Sequence, residues 1–235
     1  MKCRFAELNI EILNRERYVE NLARNYLCDF ETADITLSVT DEDIMREKKK
    51  SQYDISTATA EAIALYRKLG YALPEYDGFV MHSATFEIKG RGIGFLAKSG
   101  TGKSTHMLNW KKLFGDGLTV INGDKPVVRI KDGIPFAYGT PWCGKEGLSK
   151  DDCVALTDLC FIVRSNINEV IRLDRSEILD RLFGQVVVPS GSEKILKTLA
   201  LIDKTVQNCN IWEIRCNPDV SSAQKAANII LEVEK

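Results

Sequence analysis

The segment Ala97-Lys98-Ser99-Gly100-Thr101-Gly102-Lys103-Ser104-Thr105 decides how the rest of this chain is read. It follows the apolar run Ile93-Gly94-Phe95-Leu96 and precedes apolar positions at Met107, Leu108, Trp110 and Leu113, so it joins a buried strand to an amphipathic helix. The spacing is that of the Walker A loop, with Ala97 standing where the first glycine is usual. Gly100 and Gly102 let the backbone bend so that successive N–H groups face one point, and the helix that follows adds its positive end. Such a loop is an anion cradle. Ser99, Gly100, Thr101, Gly102, Lys103, Ser104 and Thr105 are expected to hold the phosphates of a nucleotide, Lys103 neutralising the β and γ oxygens and the Ser104 hydroxyl ligating Mg²⁺. The bland alternative is a tight strand-to-helix turn without a ligand, in which a lysine flanked by hydroxyls has no structural task.

A Mg²⁺–nucleotide site also needs a carboxylate at the carboxyl end of a nearby strand. Asp124 follows the apolar run Leu118 to Ile121 after Asn122-Gly123. It is expected either to hold the metal or to accept the proton of an attacking hydroxyl, against the plainer role of an Asx turn. The stretch Tyr138-Gly139-Thr140-Pro141-Trp142-Cys143-Gly144-Lys145-Glu146-Gly147-Leu148-Ser149 has the composition of a binding loop. In it Lys145 is placed to meet a transferred phosphate and Glu146 to act on metal or substrate; the alternative is a surface connection pinned by Trp142. The two histidines, His82 in a predicted strand beside the loop strand and His106 just inside the helix, are candidate donors to phosphate or simply packed side chains. No zinc-ligand spacing and no hydrolase nucleophile motif occurs.

Outward from these motifs, Phe79 to Ile88 and Gly92 to Ala97 read as strands joined by Lys89-Gly90-Arg91, which forces an antiparallel pair. Val127 to Ile130 and Ile134 to Tyr138 form a second predicted hairpin around Lys131-Asp132-Gly133. Leu156 to Val163, Val170 to Leu173 and Ile211 to Arg215 read as strands; 175 to 185, 192 to 206 and the segment after Pro218-Asp219 read as helices. Alternating elements with two hairpins predict an α/β fold whose sheet is mixed, partly antiparallel, with a P-loop between strand and helix. Residues 1–77 read as a separate amino-terminal α/β lobe, with an alternating segment from Cys3 to Leu13, a helix from Arg15 to Leu27, a strand from Ile35 to Val39 and helices over 42–50 and 57–69; residues 78–235 form the motif-bearing domain. The charge run Arg46-Glu47-Lys48-Lys49-Lys50 reads as a solvated helix face.

Composition narrows the partners. The 235 residues carry 32 Lys+Arg against 33 Asp+Glu, a formal net charge of -1, which supplies no global positive field for nucleic acid or anionic lipid. No apolar run approaches the ~18 residues of a membrane span, and the first residues offer no signal-peptide core. The 7 cysteines are odd in number and never spaced C-x-x-C, as expected of reduced thiols in a cytoplasmic protein. A homo-oligomer is compatible with all of this.

His82-Ser83-Ala84, the glycine loop, Asn122-Gly123-Asp124-Lys125-Pro126 and Tyr138 to Lys145 together resemble the HPr serine kinase/phosphorylase-like proteins. The resemblance covers roughly residues 79 to 150 and implies a phosphoenolpyruvate-carboxykinase-like nucleotide-binding fold, with His82 near the transferred phosphate. Where the HPr kinases carry two adjacent aspartates, this chain has Gly123 and Asp124. The smaller relatives, some acting on free serine or peptide hydroxyls, are the nearer likeness. The resulting expectation is a kinase that uses Mg²⁺ and ATP, or ADP or GTP, to phosphorylate a serine-like small molecule or a Ser/Thr of a peptide or protein. Its candidate catalytic residues are Asp124, Lys103, Lys145, Glu146 and His82, its metal ligands Ser104 and Asp124. A non-catalytic nucleotide-binding regulatory module, or a phosphorylase or phosphatase working through the same site, remains the alternative, and residues 1–77 are the expected acceptor-binding lobe.

Overall fold

The computed structural model describes residues 1–175 and 178–232. Its turns set its sheets. Ala6 and Glu7 both take positive φ, 53° and 55°, and reverse the chain between β1 (Lys2–Phe5) and β2 (Leu8–Leu13). The alternating segment from Cys3 to Leu13 is therefore a hairpin rather than one strand; neither turn residue is of a type that advertises left-handed backbone. β3 (Ile35–Ser38) joins β2 in parallel to complete a three-stranded sheet. α1 (Arg17–Ala23), shorter than the predicted 15–27 helix, α2 (Asp41–Lys50) and α3 (Thr57–Ala72) complete this region. α2 begins with a capping box between Thr40 and Asp43 and ends on Lys48, Lys49 and Lys50, charges that suit both ends of the helix dipole. Within that charge run Glu47 is buried and holds Arg67 at 2.7 and 2.9 Å, so only its neighbours form a solvated face. The apolar cluster of this region continues into Val80, Val127, Tyr138 and Trp142.

The second sheet is larger and mixed. The predicted strand from Phe79 to Ile88 is broken at Met81-His82 into β4 (Gly78–Val80) and β5 (Ser83–Ile88), which pair with different neighbours. The stretch from Phe79 to Ile88 contains no glycine or proline to mark that break in the sequence. β5 reverses through Lys89 and Gly90 into β6 (Arg91–Leu96), which leads through residues 97–102 into α4 (Lys103–Phe114). β7 (Leu118–Asn122) lies along the other edge of β5, and β8 (Val127–Lys131) with β9 (Ile134–Tyr138) forms the predicted second hairpin. β10 (Cys153–Arg164) has twelve residues: its start pairs with β9 in antiparallel fashion, its remainder with β6 and β12 (Asn210–Cys216) in parallel. β11 (Glu169–Arg172) closes the edge against β12. α5 (Leu179–Phe183) is shorter than the helix expected near 175–185, in which residues 176 and 177 lie outside the described residues. α6 (Ser192–Asn208) and α7 (Val220–Glu232) follow. α4 and α7 cover one face of the sheet and α6 the other, with an apolar cluster under each. Among the described residues no helix is long and apolar enough to cross a membrane.

The topology gathers chain ends. β6 and β7 both run antiparallel to β5, and β10 and β12 run parallel to β6. The carboxyl ends of β6, β7, β10 and β12 and the start of β5 therefore share one edge. In open α/β sheets this is where ligands bind. The opposite end is held by Asp158, fully buried, which accepts from Arg91 at 2.8 Å, Thr157 Oγ1 at 2.7 Å and Trp212 Nε1 at 3.0 Å.

Candidate functional site

The loop after β6 has the backbone that its glycines allow. Gly100 and Gly102 take φ of 78° and 123°, values at which a β-carbon is strained, and Lys103 opens α4 directly afterwards. Arg164, at the end of β10, braces this loop from below: its guanidinium donates to the carbonyls of Gly100 and of Thr101, the latter at 3.0 Å. Ser104 and Thr105 have no side-chain partner among the described residues and border the open cleft.

Asp124 is aimed by its neighbours. Asn122 Oδ1 accepts the backbone N–H of Asp124 at 2.9 Å and of Lys125 at 2.7 Å, while its Nδ2 donates to Thr140 O at 3.1 Å. The Asx turn at this point is therefore made by Asn122, which leaves the Asp124 carboxylate free to project. Three cationic or hydrogen-bonding groups meet it: Lys103 Nζ at 3.2 Å and His82 Nε2 at 3.0 Å on Oδ1, and Lys125 Nζ at 3.1 Å on Oδ2. His82 does not lie in a strand. It sits in the break between β4 and β5, where Ser83 N donates to Asp124 O at 3.0 Å and so brings the two segments together.

The electrostatics follow from this packing. Burial pushes the Asp124 carboxyl up, but the His82 hydrogen bond and the Lys125 and Lys103 charges outweigh it and hold the group well below the usual carboxylate range. Burial lowers the His82 pKa against the opposing pull of Asp124, so at neutral pH the contact is a hydrogen bond from a neutral imidazole. Lys125 is lowered by the same burial. His106 is pushed down to about 4 by burial and is neutral as well.

The 139–149 loop folds over the carboxylate. A β-carbon on Gly123 would lie 2.8 Å from Cys143 O, so no side chain fits at this position. A β-carbon on Gly144 would lie 3.0 Å from Asp124 Cβ, which shows how closely this loop approaches. Lys145 and Glu146, both exposed, follow at the rim. The result is a cavity of about 490 Å³ bordered by His82, the glycine loop, Lys103, Ser104, Asp124, Lys145 and Glu146, with Tyr53 at its mouth. Its lysines, Lys98, Lys103 and Lys145, outnumber its carboxylates, Asp124 and Glu146, so it favours an anion. His106 is the sequence candidate that lies elsewhere, on the far side of the helix start. Lys125, Arg164 and Tyr53 were not singled out from the sequence; adjacency to Asp124 was the one signal for Lys125, and the other two come from distant segments.

The amino-terminal region secures this loop. Trp142 Nε1 donates to Ala62 O at 2.9 Å, and its ring meets Phe5 and Tyr66 edge to face. Tyr26 OH pairs with Ser149 Oγ, which in turn donates to Thr140 O at 3.0 Å. Tyr26→Phe is expected to cost about 1 kcal/mol of folding stability through that lost hydrogen bond, read as a lower urea midpoint at unchanged slope; an unchanged midpoint would show that Tyr26 does not secure the loop.

Among the described residues no set of three or more His, Cys, Asp or Glu is grouped to cage a metal. Mg²⁺, however, commonly takes one or two carboxylates and completes its shell with water and phosphate. Asp124 and the unpartnered Ser104 hydroxyl, bordering one cleft, fit that donor set. All 7 cysteines are unpaired, and burial raises the Cys143 thiol beside the cleft, so no activated thiolate is found there.

No family model matches the chain, and no curated protein matches it. Among solved structures the chain is similar to the Hpr(Ser) kinase/phosphatase from Coxiella burnetii, at 8% identity over 65% of this chain and 88% of that chain, with a TM-score of 0.36. A likeness so distant fixes neither family nor activity, and the functional reading rests on the cleft itself.

Proposed function

We propose that this chain is a P-loop phosphotransferase, built on a phosphoenolpyruvate-carboxykinase-like nucleotide-binding fold, that transfers phosphate from a Mg²⁺–nucleotide to the hydroxyl of a serine-like small molecule or a peptide. One observation carries the reading: the break between β4 and β5, the loop after β6 with the start of α4, the segment after β7 and the 139–149 loop bring His82, Lys103, Ser104, Asp124, Lys145 and Glu146 around a single cleft of net positive character. Phosphoryl transfer asks for little more than positioning and charge neutralisation.

In this reading the N–H groups of residues 99–105 and the Lys103 ammonium hold the phosphates. Ser104 Oγ and Asp124 would hold Mg²⁺, which would supply charge neutralisation for the transferring group. A carboxylate that holds a proton as weakly as Asp124 suits metal and charge pairing, which leaves Glu146 at the rim to take the acceptor's proton. The acceptor oxygen attacks the terminal phosphorus, the bond to the bridging oxygen breaks, and the nucleotide departs one phosphoryl group shorter. Lys145 stabilises charge on the phosphoryl oxygens, while the His82 N–H holds the Asp124 carboxylate in position. The segment 1–77 would form the acceptor-binding lobe beside the 78–235 kinase-like domain, since Tyr53 stands at the mouth of the cleft. Working conditions would be those of the cytoplasm.

The closed space at Gly123 favours one second reading, a module that binds nucleotide without transferring it. Labelled γ-phosphate from Mg²⁺–ATP, offered with a boiled and size-fractionated extract, separates the two. Label in a small-molecule or peptide fraction is expected. Thermal stabilisation by nucleotide without label in any fraction would overturn the kinase in favour of the module.

A further inference from the structure

Among the described residues, the hydroxyl-bearing side chains that border the phosphate cleft are Tyr53, Ser99, Ser104 and Thr105. The last three belong to the glycine loop and the start of α4, where the phosphates and the metal engage them. Tyr53 comes from the amino-terminal region, in the connection between α2 and α3, and is 79% exposed. Its hydroxyl has no partner among the described residues. Packing does not explain a phenol in this place, at the edge of the space where the phosphoryl group is transferred.

The backbone that carries Tyr53 is fixed on both sides. Ser51 N donates to Glu47 O at 3.1 Å where α2 ends, and Ser51 Oγ donates to Tyr53 O at 2.8 Å while accepting from Tyr53 N at 3.2 Å. Ser56 then caps α3, its Oγ accepting from Thr59 N at 3.0 Å. α3 is tied in turn to the 139–149 loop, since Ala62 O accepts from Trp142 Nε1 at 2.9 Å. Tyr53 and Glu146 therefore border the cleft from one connected frame. Lys98 and Lys145, exposed on the same cleft, form no ion pair among the described residues, so both ammonium groups are open to a phosphate at its mouth.

We propose that Tyr53 is an acceptor built into the chain, phosphorylated by the cleft that it borders when no other hydroxyl compound occupies the entrance. The inference rests on the phosphotransferase reading above and goes past it, to a modification site on the amino-terminal lobe. The Tyr53 phenolic oxygen attacks the terminal phosphorus of the nucleotide, and the bond from that phosphorus to the bridging oxygen breaks. The phenolic proton passes to the Glu146 carboxylate, and the nucleotide departs one phosphoryl group shorter. Because the ring borders its own chain's cleft, the step is unimolecular and needs no encounter with a second copy. The phosphotyrosine brings a charge of about -1.5 to -2 to the side of the cleft that holds Lys98 and Lys145.

The test incubates the full chain with Mg²⁺ and γ-labelled ATP, without and with the boiled extract, and maps the label by tryptic digestion and mass spectrometry. The peptide from Ser51 to Arg67 is expected to carry a single added phosphoryl group, placed on Tyr53 by fragmentation, at an initial rate per chain that does not change on dilution. Tyr53→Phe, which removes only an exposed hydroxyl, is expected to melt like the wild type and to take no label. Lys103→Ala is expected to take none either, which assigns the chemistry to this cleft rather than to a contaminating kinase. Label in the extract but none on the wild-type chain would overturn the proposal and leave the phosphotransferase standing. So would label on another residue, label that persists in either variant, or a rate per chain that falls on dilution. Absence of label from both chain and extract would remove the phosphotransferase and the proposal with it.

Discussion

Replacing Lys103 with alanine is expected to abolish phosphoryl transfer, with a rate loss on the order of a thousandfold or more, because Lys103 is the buried ammonium that opens α4 at the end of the glycine loop, beside Asp124. The fold is expected to survive. Asp124 keeps Lys125 at 3.1 Å and His82 at 3.0 Å, so its charge is not left alone, and the repulsion between two buried lysines is relieved. The check is a transfer assay paired with a thermal melt. A variant that melts like the wild type but transfers at the wild-type rate would contradict the role given to Lys103.

Asp124→Asn is expected to damage both stability and activity. Lys103 and Lys125, whose side chains are 8% and 15% exposed, would then share a site without a carboxylate. Losing one member of a fully buried pair costs 3–5 kcal/mol, and with Asp124 itself partly open to solvent the expected loss is roughly 2 kcal/mol at pH 7. Transfer is expected to fall by about a hundredfold or more, since a neutral amide neither balances the lysines nor binds Mg²⁺ well. The sign with pH follows from the lowered carboxyl pKa. The Asp124 contribution is fully present above the unfolded carboxyl value of about 4 and is lost as pH falls toward the lower native value. The stability gap between wild type and variant, read from denaturant midpoints, should therefore be widest near neutrality and shrink below about pH 4. A gap that grows on acidification would place the charge elsewhere.

What could be read from the sequence was what adjacent residues decide. The glycine loop, its lysine and the helix behind it are one continuous stretch, and the Lys89-Gly90 and Asp132-Gly133 turns are reversals that glycine makes visible. Mixed strand directions followed from those two turns. The reversal at Ala6-Glu7 and the break at Met81-His82 were not legible, because ordinary residues make them and only tertiary pairing reveals them. The break matters, since it takes His82 out of the sheet and turns it to Asp124. In the site, Asp124 was legible as a carboxylate after a strand, but its surroundings were not. Lys125 shares its charge, Asn122 aims it, and the Cys143 carbonyl closes the space at Gly123. Arg164 reaches the glycine loop from more than sixty positions downstream, a contact set by the parallel pairing of β10 with β6 rather than by any local pattern.

The most direct measurement is calorimetric titration of Mg²⁺–ATP into the wild-type chain and into Lys103→Ala. One-to-one binding by the wild type that disappears in the alanine variant is the predicted result. Absence of binding by the wild type, or equal binding by both, would contradict a phosphate-holding cleft at Lys103 and Asp124.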